Sequence, residues 1–410
     1  MRDDIGMGVM RRRVFYIPGY DPFPPRRYRE LYRSEGTAQA AISGYRIDVS
    51  RPLGAGPHEW EVTARIGASD VTSRFEVLVW ADLVRGSMAQ GIPATYWQLL
   101  RTALIYLSSG ALFRLTYLRK GPVIAALYPI VMLLAQALAG LFVALTVVHM
   151  VNVLAGLVGL QAPWIFGFAL GLVPASYLLR WFRLQDHQLF AYYLMHDYAF
   201  TALGQGANPP VLEERMTEFR KTISAALIGD WDEVLVVGHS SGAHLGVSIL
   251  ADLLREGLPP GAPPLSFLTL GQVIPMVSFL PRAYRLRADL HDLAARPEIT
   301  WVDVTAPGDG CAFALCDPVA VTGVSPKMKL WPLVISAAFT RTLSPERWQK
   351  LRWRFFRLHF QYLCAFDRPG DYDYFRITAG PLTLGERFAG RQPSKSRIDV
   401  PVSGHVSRSA

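Results

Sequence analysis

From Gly121 to Leu179 the chain carries no Asp, Glu, Lys or Arg, an uncharged run of 59 residues in a protein of 410. Few folds can absorb such a run. A helix needs roughly 20 apolar residues to cross a hydrocarbon core ~30 Å thick, so the block has the length of two crossings and a turn. The apolar stretches place the crossings near 122–148 and 163–180, with His149, Asn152, Gln161 and Pro163 marking the turn. The competing reading is a helical hairpin buried in a soluble core, but soluble helices rarely run so long without a charge. Arg114, Arg119 and Lys120 precede the first crossing, Arg180 and Arg183 follow the second, and the turn between is uncharged. The preference of Lys and Arg for the cytoplasmic face puts both flanks, and both halves of the remaining chain, in the cytoplasm. Residues 97–118, rich in Leu, Tyr and Trp yet carrying Arg101 and Arg114, read as a helix lying in the membrane interface.

The block also explains the composition. Half of the residues are hydrophobic (51%) and only 18% are charged, and the formal charge of +9 is carried entirely outside the block. Because cations flank the apolar run, this balance points to a bilayer with anionic headgroups rather than to nucleic acid. The N-terminus, MRDDIGMGVMRRR, has basic residues but no apolar stretch behind them, and so does not read as a secretory leader. Cys311, Cys316 and Cys364 are too few, and odd in number, for a disulfide framework; they read as reduced, packed thiols. No phosphate loop, dinucleotide fingerprint or metal-ligand spacing is visible, so no cofactor and no metal are expected. There is no internal repeat, and the oligomeric state is not legible.

Outside the block the pattern alternates between strands and helices. RRVFYIP (12–18) reads as a short buried strand closed by a turn at Pro18-Gly19. Tyr28, Leu31, Tyr32 and Ala38 recur at helical spacing between Pro25 and about Ser43. YRIDVS and WEVTARI, separated by a Gly/Pro turn, and FEVLVWAD (75–82) read as strands, with Asp82 ending the last and Trp80 in its core. After the block, 186–228 is helical, and Leu212, Met216, Phe219, Ile223 and Leu227 form one apolar stripe. LSFLTLG (265–271) and ITWVDVT (299–305) are further strands, and 344–364 is helical with mixed basic and aromatic residues. The polar, basic tail from about 386 to 410 reads as disordered.

Chemistry enters at Gly238-His239-Ser240-Ser241-Gly242. Gly-x-Ser-x-Gly is weak as a bare pattern, and an ordinary glycine-rich turn would also produce it. Its setting is what makes it specific. Val234 to Val237 form a buried-strand run before it, and Ala243 to Leu254 a helical run after it. That strand–turn–helix context is what a nucleophile elbow requires, with the Ser hydroxyl held at a helix N-terminus where negative charge is favoured. His239 and His244 read as packing residues around the turn.

With these residues, over 12–82 and 230–362, the chain resembles the α/β-hydrolase superfamily, in its lipase and esterase branch. The resemblance implies an α/β sandwich with a mostly parallel sheet, and a triad in the chain order Ser, acid, His. It implies Ser240 as nucleophile and an acid in a loop after a later strand. Ala306-Pro307-Gly308-Asp309-Gly310 follows ITWVDVT, which makes Asp309 the candidate, although Pro-Gly-Asp-Gly is also a strong turn signal by itself. Asp317 is the alternative acid, and Asp303 a weaker rival because it alternates along the strand. Only His359 and His405 lie downstream; His405 falls in the tail, which leaves His359 as base, in a helix-like segment where family members usually have a loop. The oxyanion hole would take the Ser241 amide and that of Gly19 or Tyr20, with Pro-Gly standing where the family often has His-Gly.

The expected organisation is therefore an α/β-hydrolase-like domain split into 1–90 and 206–385, a membrane insertion at 91–205 with two transmembrane helices, and the 386–410 tail. The expected activity is ester hydrolysis on lipid-like or other apolar acyl substrates met at the bilayer. Acyl transfer or thioester hydrolysis would suit the same scaffold, and a non-catalytic interaction protein with a hydrolase-like fold is the reading from another class.

Overall fold

The computed structural model describes residues 8–53, 58–161 and 163–410. The first residues of the N-terminal segment and most of the Gly/Pro turn before Glu59 lie outside them. One eight-stranded sheet runs through the molecule: β1 (Arg11–Ile17), β2 (Arg46–Val49), β3 (Glu59–Ile66), β4 (Ser69–Val77), β5 (Glu233–His239), β6 (Leu265–Leu270), β7 (Ile299–Thr305) and β8 (Leu333–Ser336). The order across the sheet is β2-β3-β4-β1-β5-β6-β7-β8. The six strands from β4 to β8 pair in parallel, and β3 and β2 close one edge antiparallel.

The central strands are continuous apolar runs because both faces are covered, the usual condition of parallel sheets. Side chains alternate between two cores. Val14, Tyr16, Leu235 and Val237 pack on one face with Tyr28 and Tyr32 of the Arg26–Ser43 helix and with Leu358 to Phe388 of the C-terminal part. Phe15, Ile17, Val234 and Val236 pack on the other with the helices Pro210–Ala226, Gly242–Glu256 and Tyr284–Leu293.

Between β4 and β5 the described residues form helices and their connecting turns, with no strand. Lys120–Leu157 and Trp164–Leu184 are each long and apolar enough to cross a membrane, with only 22% and 17% of their most apolar windows buried in protein. That exposure is at odds with a hairpin hidden in a soluble core. The two helices meet through small residues: a Cβ on Gly171 would lie 2.8 Å from the Ala144 Cα, and one on Gly167 3.1 Å from the Val148 Cα. Such faces let helix backbones approach closely.

Four expectations are corrected. The strand placed at 75–82 begins at Ser69 and ends at Val77; its first half alternates Val71, Ser73 and Phe75 inward with polar residues outward, and so hides its apolar face. Asp82 then lies in the first turn of an Ala81–Met88 helix, paired to Arg215 at 2.8 Å. His149 and Asn152 do not mark the hairpin turn, because the first long helix continues to Leu157 and positions 158–163 follow it. The segment 97–118 is two helices, Ile92–Ser108 and Ala111–Thr116, broken at Gly110 (φ 71°). One stripe of the first (Thr95, Leu99, Thr102, Tyr106) is buried, with Leu99 against Met195 and Ala199 of the Ala191–Ala202 helix. Lastly, the tail is docked rather than disordered. Ile398 donates to Leu315 O (2.7 Å) and accepts from Asp317 N (2.9 Å), Val402 N donates to Val321 O (2.9 Å), and Arg287 Nε donates to Ser407 O (2.5 Å). A polar composition does not show that a segment's backbone groups have partners waiting on a neighbouring loop.

Candidate active site

The Gly238–Gly242 turn sits at the C-terminal end of β5, in the middle of the sheet. Ser240 is held at φ 55°, a left-handed conformation costly for a residue with a side chain. Ser240 N donates to Leu270 O (2.9 Å) and Ala243 N to Ser240 O (3.1 Å), and these bonds fix the bend. Both glycines of the motif are required by space. A Cβ on Gly238 would lie 2.9 Å from the Ala243 Cα, and one on Gly242 would overlap Ile17 O. The result is a half-buried serine at the N-terminus of the Gly242–Glu256 helix. Its hydroxyl has no hydrogen-bond partner among the described residues.

His359 and Asp309 form a buried pair against this turn. His359 Nδ1 donates to Asp309 Oδ2 at 2.7 Å, which leaves Nε2 on the opposite side of the ring from the carboxylate. Asp309 Oδ2 also accepts from the Tyr362 hydroxyl (3.0 Å), and Oδ1 from Cys311 N (2.8 Å). Burial alone would raise the Asp309 pKa, but the His359 charge and these hydrogen bonds outweigh it and hold the carboxyl below its ordinary value. His239, between the motif glycine and Ser240, ties the pair to the turn. Its Nε2 donates to His359 O (3.0 Å), and the two rings lie 4.9 Å apart. Burial, with the nearby His359, drives His239 down to about 3, and burial takes His244 down to about 4. His359 is the last residue of the short Phe355–His359 helix, a helix end and not the helix interior that its neighbours suggested.

The other candidates fall elsewhere. Asp317 caps the Pro318–Thr322 helix, accepts from Val319 N and Ala320 N (both 3.1 Å) and pairs with Lys329. Asp303 accepts from the Thr269 hydroxyl at 2.6 Å, and burial pushes it up to about 8. His405 contacts Ser109 O at 3.2 Å.

The turn after β1 lies directly over the serine. A Cβ on Gly19 would stand 3.0 Å from Ser240 Cβ and 3.4 Å from its Oγ. Trp80 Nε1 donates to Pro18 O at 3.0 Å, and the Tyr193 hydroxyl donates to Tyr20 O. Among the described residues the Gly19, Tyr20 and Ser241 amides donate no hydrogen bond.

Sequence reasoning missed three contributors. Gly271 (φ 53°) leaves room for the pair, since a Cβ there would lie 3.1 Å from His359 Cε1 and 3.3 Å from Asp309 Oδ2; its place at the end of the LSFLTLG strand was the available signal. Tyr362 had no signal of its own. Asp197 lies on the Ala191–Ala202 helix, between Tyr193 and Phe200 on one stripe, and both those rings meet Tyr20 (6.1 and 5.6 Å). It has no hydrogen-bond or ion-pair partner among the described residues, and burial, opposed by the His359 charge, pushes it up to about 7. Asp309, Cys311 and His359 also bring three metal-ligand types within 4.8 Å, a cluster the sequence did not suggest. The Asp309 oxygens already accept three hydrogen bonds, and burial pushes the Cys311 thiol well up, so this donor set favours a hydrogen-bonded pair over a metal.

The raised Asp197 carboxyl carries a stability consequence. An unfolded Asp ionises near 3.8, whereas the folded one stays protonated until about 7. Stability is therefore lost as pH rises from about 4 to 7 and is flat above. Asp197→Asn removes that loss, so its stability advantage over the wild type should be larger at pH 8 than at pH 5 in detergent-solubilised thermal melts. A gap that does not widen between those pH values rules this out.

No family model, no curated protein and no solved structure matches the chain.

Proposed function

We propose that this protein is a membrane-anchored serine ester hydrolase of the α/β-hydrolase kind, acting on lipid-like or other apolar acyl substrates. The observation that carries the reading is the meeting of three elements at the C-terminal ends of the central strands. These are a serine forced into a left-handed bend between strand and helix, a buried His–Asp pair packed against that bend, and a turn with unpaired amides above it. In this mechanism His359 Nε2 takes the Ser240 proton as Oγ attacks the ester carbonyl. Asp309 holds the ring and stabilises the imidazolium, and the Ser241 amide with that of Gly19 or Tyr20 receives the developing oxyanion. The proton then passes to the leaving alcohol, and water repeats the sequence on the acyl-enzyme. The preference for apolar substrates rests on the two exposed apolar helices beside the site. Labelling by a fluorophosphonate probe, followed by a panel of p-nitrophenyl and phospholipid esters, tests the reading; a folded, membrane-inserted protein that leaves the probe unreacted overturns it.

The two long helices are, in this proposal, a transmembrane hairpin with both flanks cytoplasmic, supported by the basic residues on each side of an uncharged loop. Leu160→Cys should react with an impermeant maleimide applied outside intact cells, and Ser409→Cys only after permeabilisation. Equal reaction of both sinks the hairpin.

A further inference from the structure

We infer that Tyr193 is a positioning residue for the oxyanion hole, through which the membrane hairpin is mechanically joined to the catalytic centre. The inference rests on the hydrolase reading above and adds to it a residue that no motif marks. The turn Pro18-Gly19-Tyr20-Asp21 is short and carries a glycine, and among the described residues its Gly19 and Tyr20 amides donate no hydrogen bond. It needs external restraint, because an oxyanion site is effective only if its donors are already oriented when charge develops. Three side chains supply the restraint. On the entry side Trp80 Nε1 holds Pro18 O at 3.0 Å. Below, Asp21 is bound by the Tyr28 hydroxyl at 2.5 Å. On the exit side the Tyr193 hydroxyl donates to Tyr20 O, while its ring lies 6.1 Å from the Tyr20 ring.

Tyr193 is the only one of the three that belongs to the helical insertion. The Trp164–Leu184 helix ends one residue before Gln185-Asp186, and the Asp186 carboxylate accepts from Tyr192 N (2.9 Å) and Tyr193 N (2.8 Å), fixing the start of the Ala191–Ala202 helix. The Tyr193 ring also meets Phe356 at 5.9 Å, and Phe190 packs against the same Phe356 with its ring tilted by 40° at 4.5 Å. Phe356 stands one helical turn before His359. The residues that follow the second long helix thus touch both the turn over Ser240 and the helix that carries the base. Loss of the Tyr193 hydroxyl frees the Tyr20 carbonyl without removing the ring, so the turn gains freedom while the packing stays.

The test compares Tyr193→Phe with Tyr106→Phe. Tyr106 is the control because it is buried in the same insertion and its hydroxyl donates to Met276 O at 2.9 Å, away from the turn. The readout is fluorophosphonate labelling of Ser240 in the full-length protein in lipid nanodiscs, resolved into its maximal rate and half-saturating concentration. Inhibition by an alkyl trifluoromethyl ketone, which forms a tetrahedral oxyanion on the serine, is measured beside it. Tyr193→Phe should lower the maximal labelling rate by about 10–100-fold, somewhat less than the ~10²–10³-fold cost of removing an oxyanion donor itself. Its half-saturating concentration should hold, and the ketone should weaken in parallel with the rate. Tyr106→Phe should lower the melting temperature and leave both readouts in place. A Tyr193→Phe protein that labels at the wild-type rate overturns the inference and leaves the hydrolase reading standing, as does an equal rate loss in Tyr106→Phe. A wild-type protein that never labels overturns both.

Discussion

Removing Ser240 and His359 together will cost no more ester turnover than removing either alone. Ser240→Ala, His359→Ala and the double variant should each fall by about 10⁶-fold in kcat on an activated ester such as p-nitrophenyl octanoate, the scale seen when triad members act as one unit. The reasoning follows the geometry. Ser240 stands at the tip of a bend and its hydroxyl has no hydrogen-bond partner among the described residues, so it remains a weak nucleophile until a base takes the proton. The imidazole brought to that bend from elsewhere in the chain is His359, fixed by Asp309 on one ring nitrogen and by His239 through its backbone carbonyl. Without the base the serine is inert, and without the serine the base has nothing to activate. The residual rate in all three variants comes from the amides over Ser240 and from binding. Fluorophosphonate labelling separates the two singles: it vanishes in Ser240→Ala and slows greatly in His359→Ala. Additive losses in the double variant, or normal labelling of a folded His359→Ala protein, would show that His359 only packs.

The strand–bend–helix at Ser240 was legible because its requirements are local. A buried-strand run, two glycines that space forbids from being anything else, and a helix starting two residues after the serine are all written within twenty residues. The two long helices were legible for the same reason, since an uncharged run is a property of one segment. What stayed hidden depends on long-range pairing. β4 was misplaced because half of its side chains are polar on the open face, and only its partners β3 and β1 define it. The docking of 386–410 depends on Leu315, Asp317 and Val321, about eighty residues away. Tyr193 and Asp197 come from a helix whose sequence resembles any amphipathic connector. Their place over the 18–21 turn follows from how the insertion folds back on the sheet, and no local pattern encodes it.

The choice of acid gives the second large effect. Asp309→Asn should lower kcat by about 10⁴-fold with the fold intact, the size of loss that follows when the orienting carboxylate of a Ser-His-Asp centre becomes an amide. In the proposed mechanism Asp309, a buried acceptor, keeps the His359 proton on Nδ1 so that Nε2 can serve the serine. Asparagine can turn its NH₂ toward Nδ1, place the imidazole proton on Nε2, and so present Ser240 with a donor instead of a base. The hydrogen bond from Cys311 N to Oδ1 and the one from Tyr362 lose strength as the charge disappears, but the side-chain volume is kept, so the surrounding packing survives. Asp317→Asn tests the alternative on a residue of similar burial and opposite circumstance. It weakens a helix cap and the Lys329 pair, so about 1 kcal/mol of stability is at stake, and kcat should stay within a few-fold of wild type. Turnover of p-nitrophenyl octanoate by the two purified variants, each checked by thermal melting, decides the matter. A large kcat loss in Asp317→Asn with Asp309→Asn near wild type would transfer the acid's role to Asp317 and leave the bond between Asp309 and His359 as packing alone.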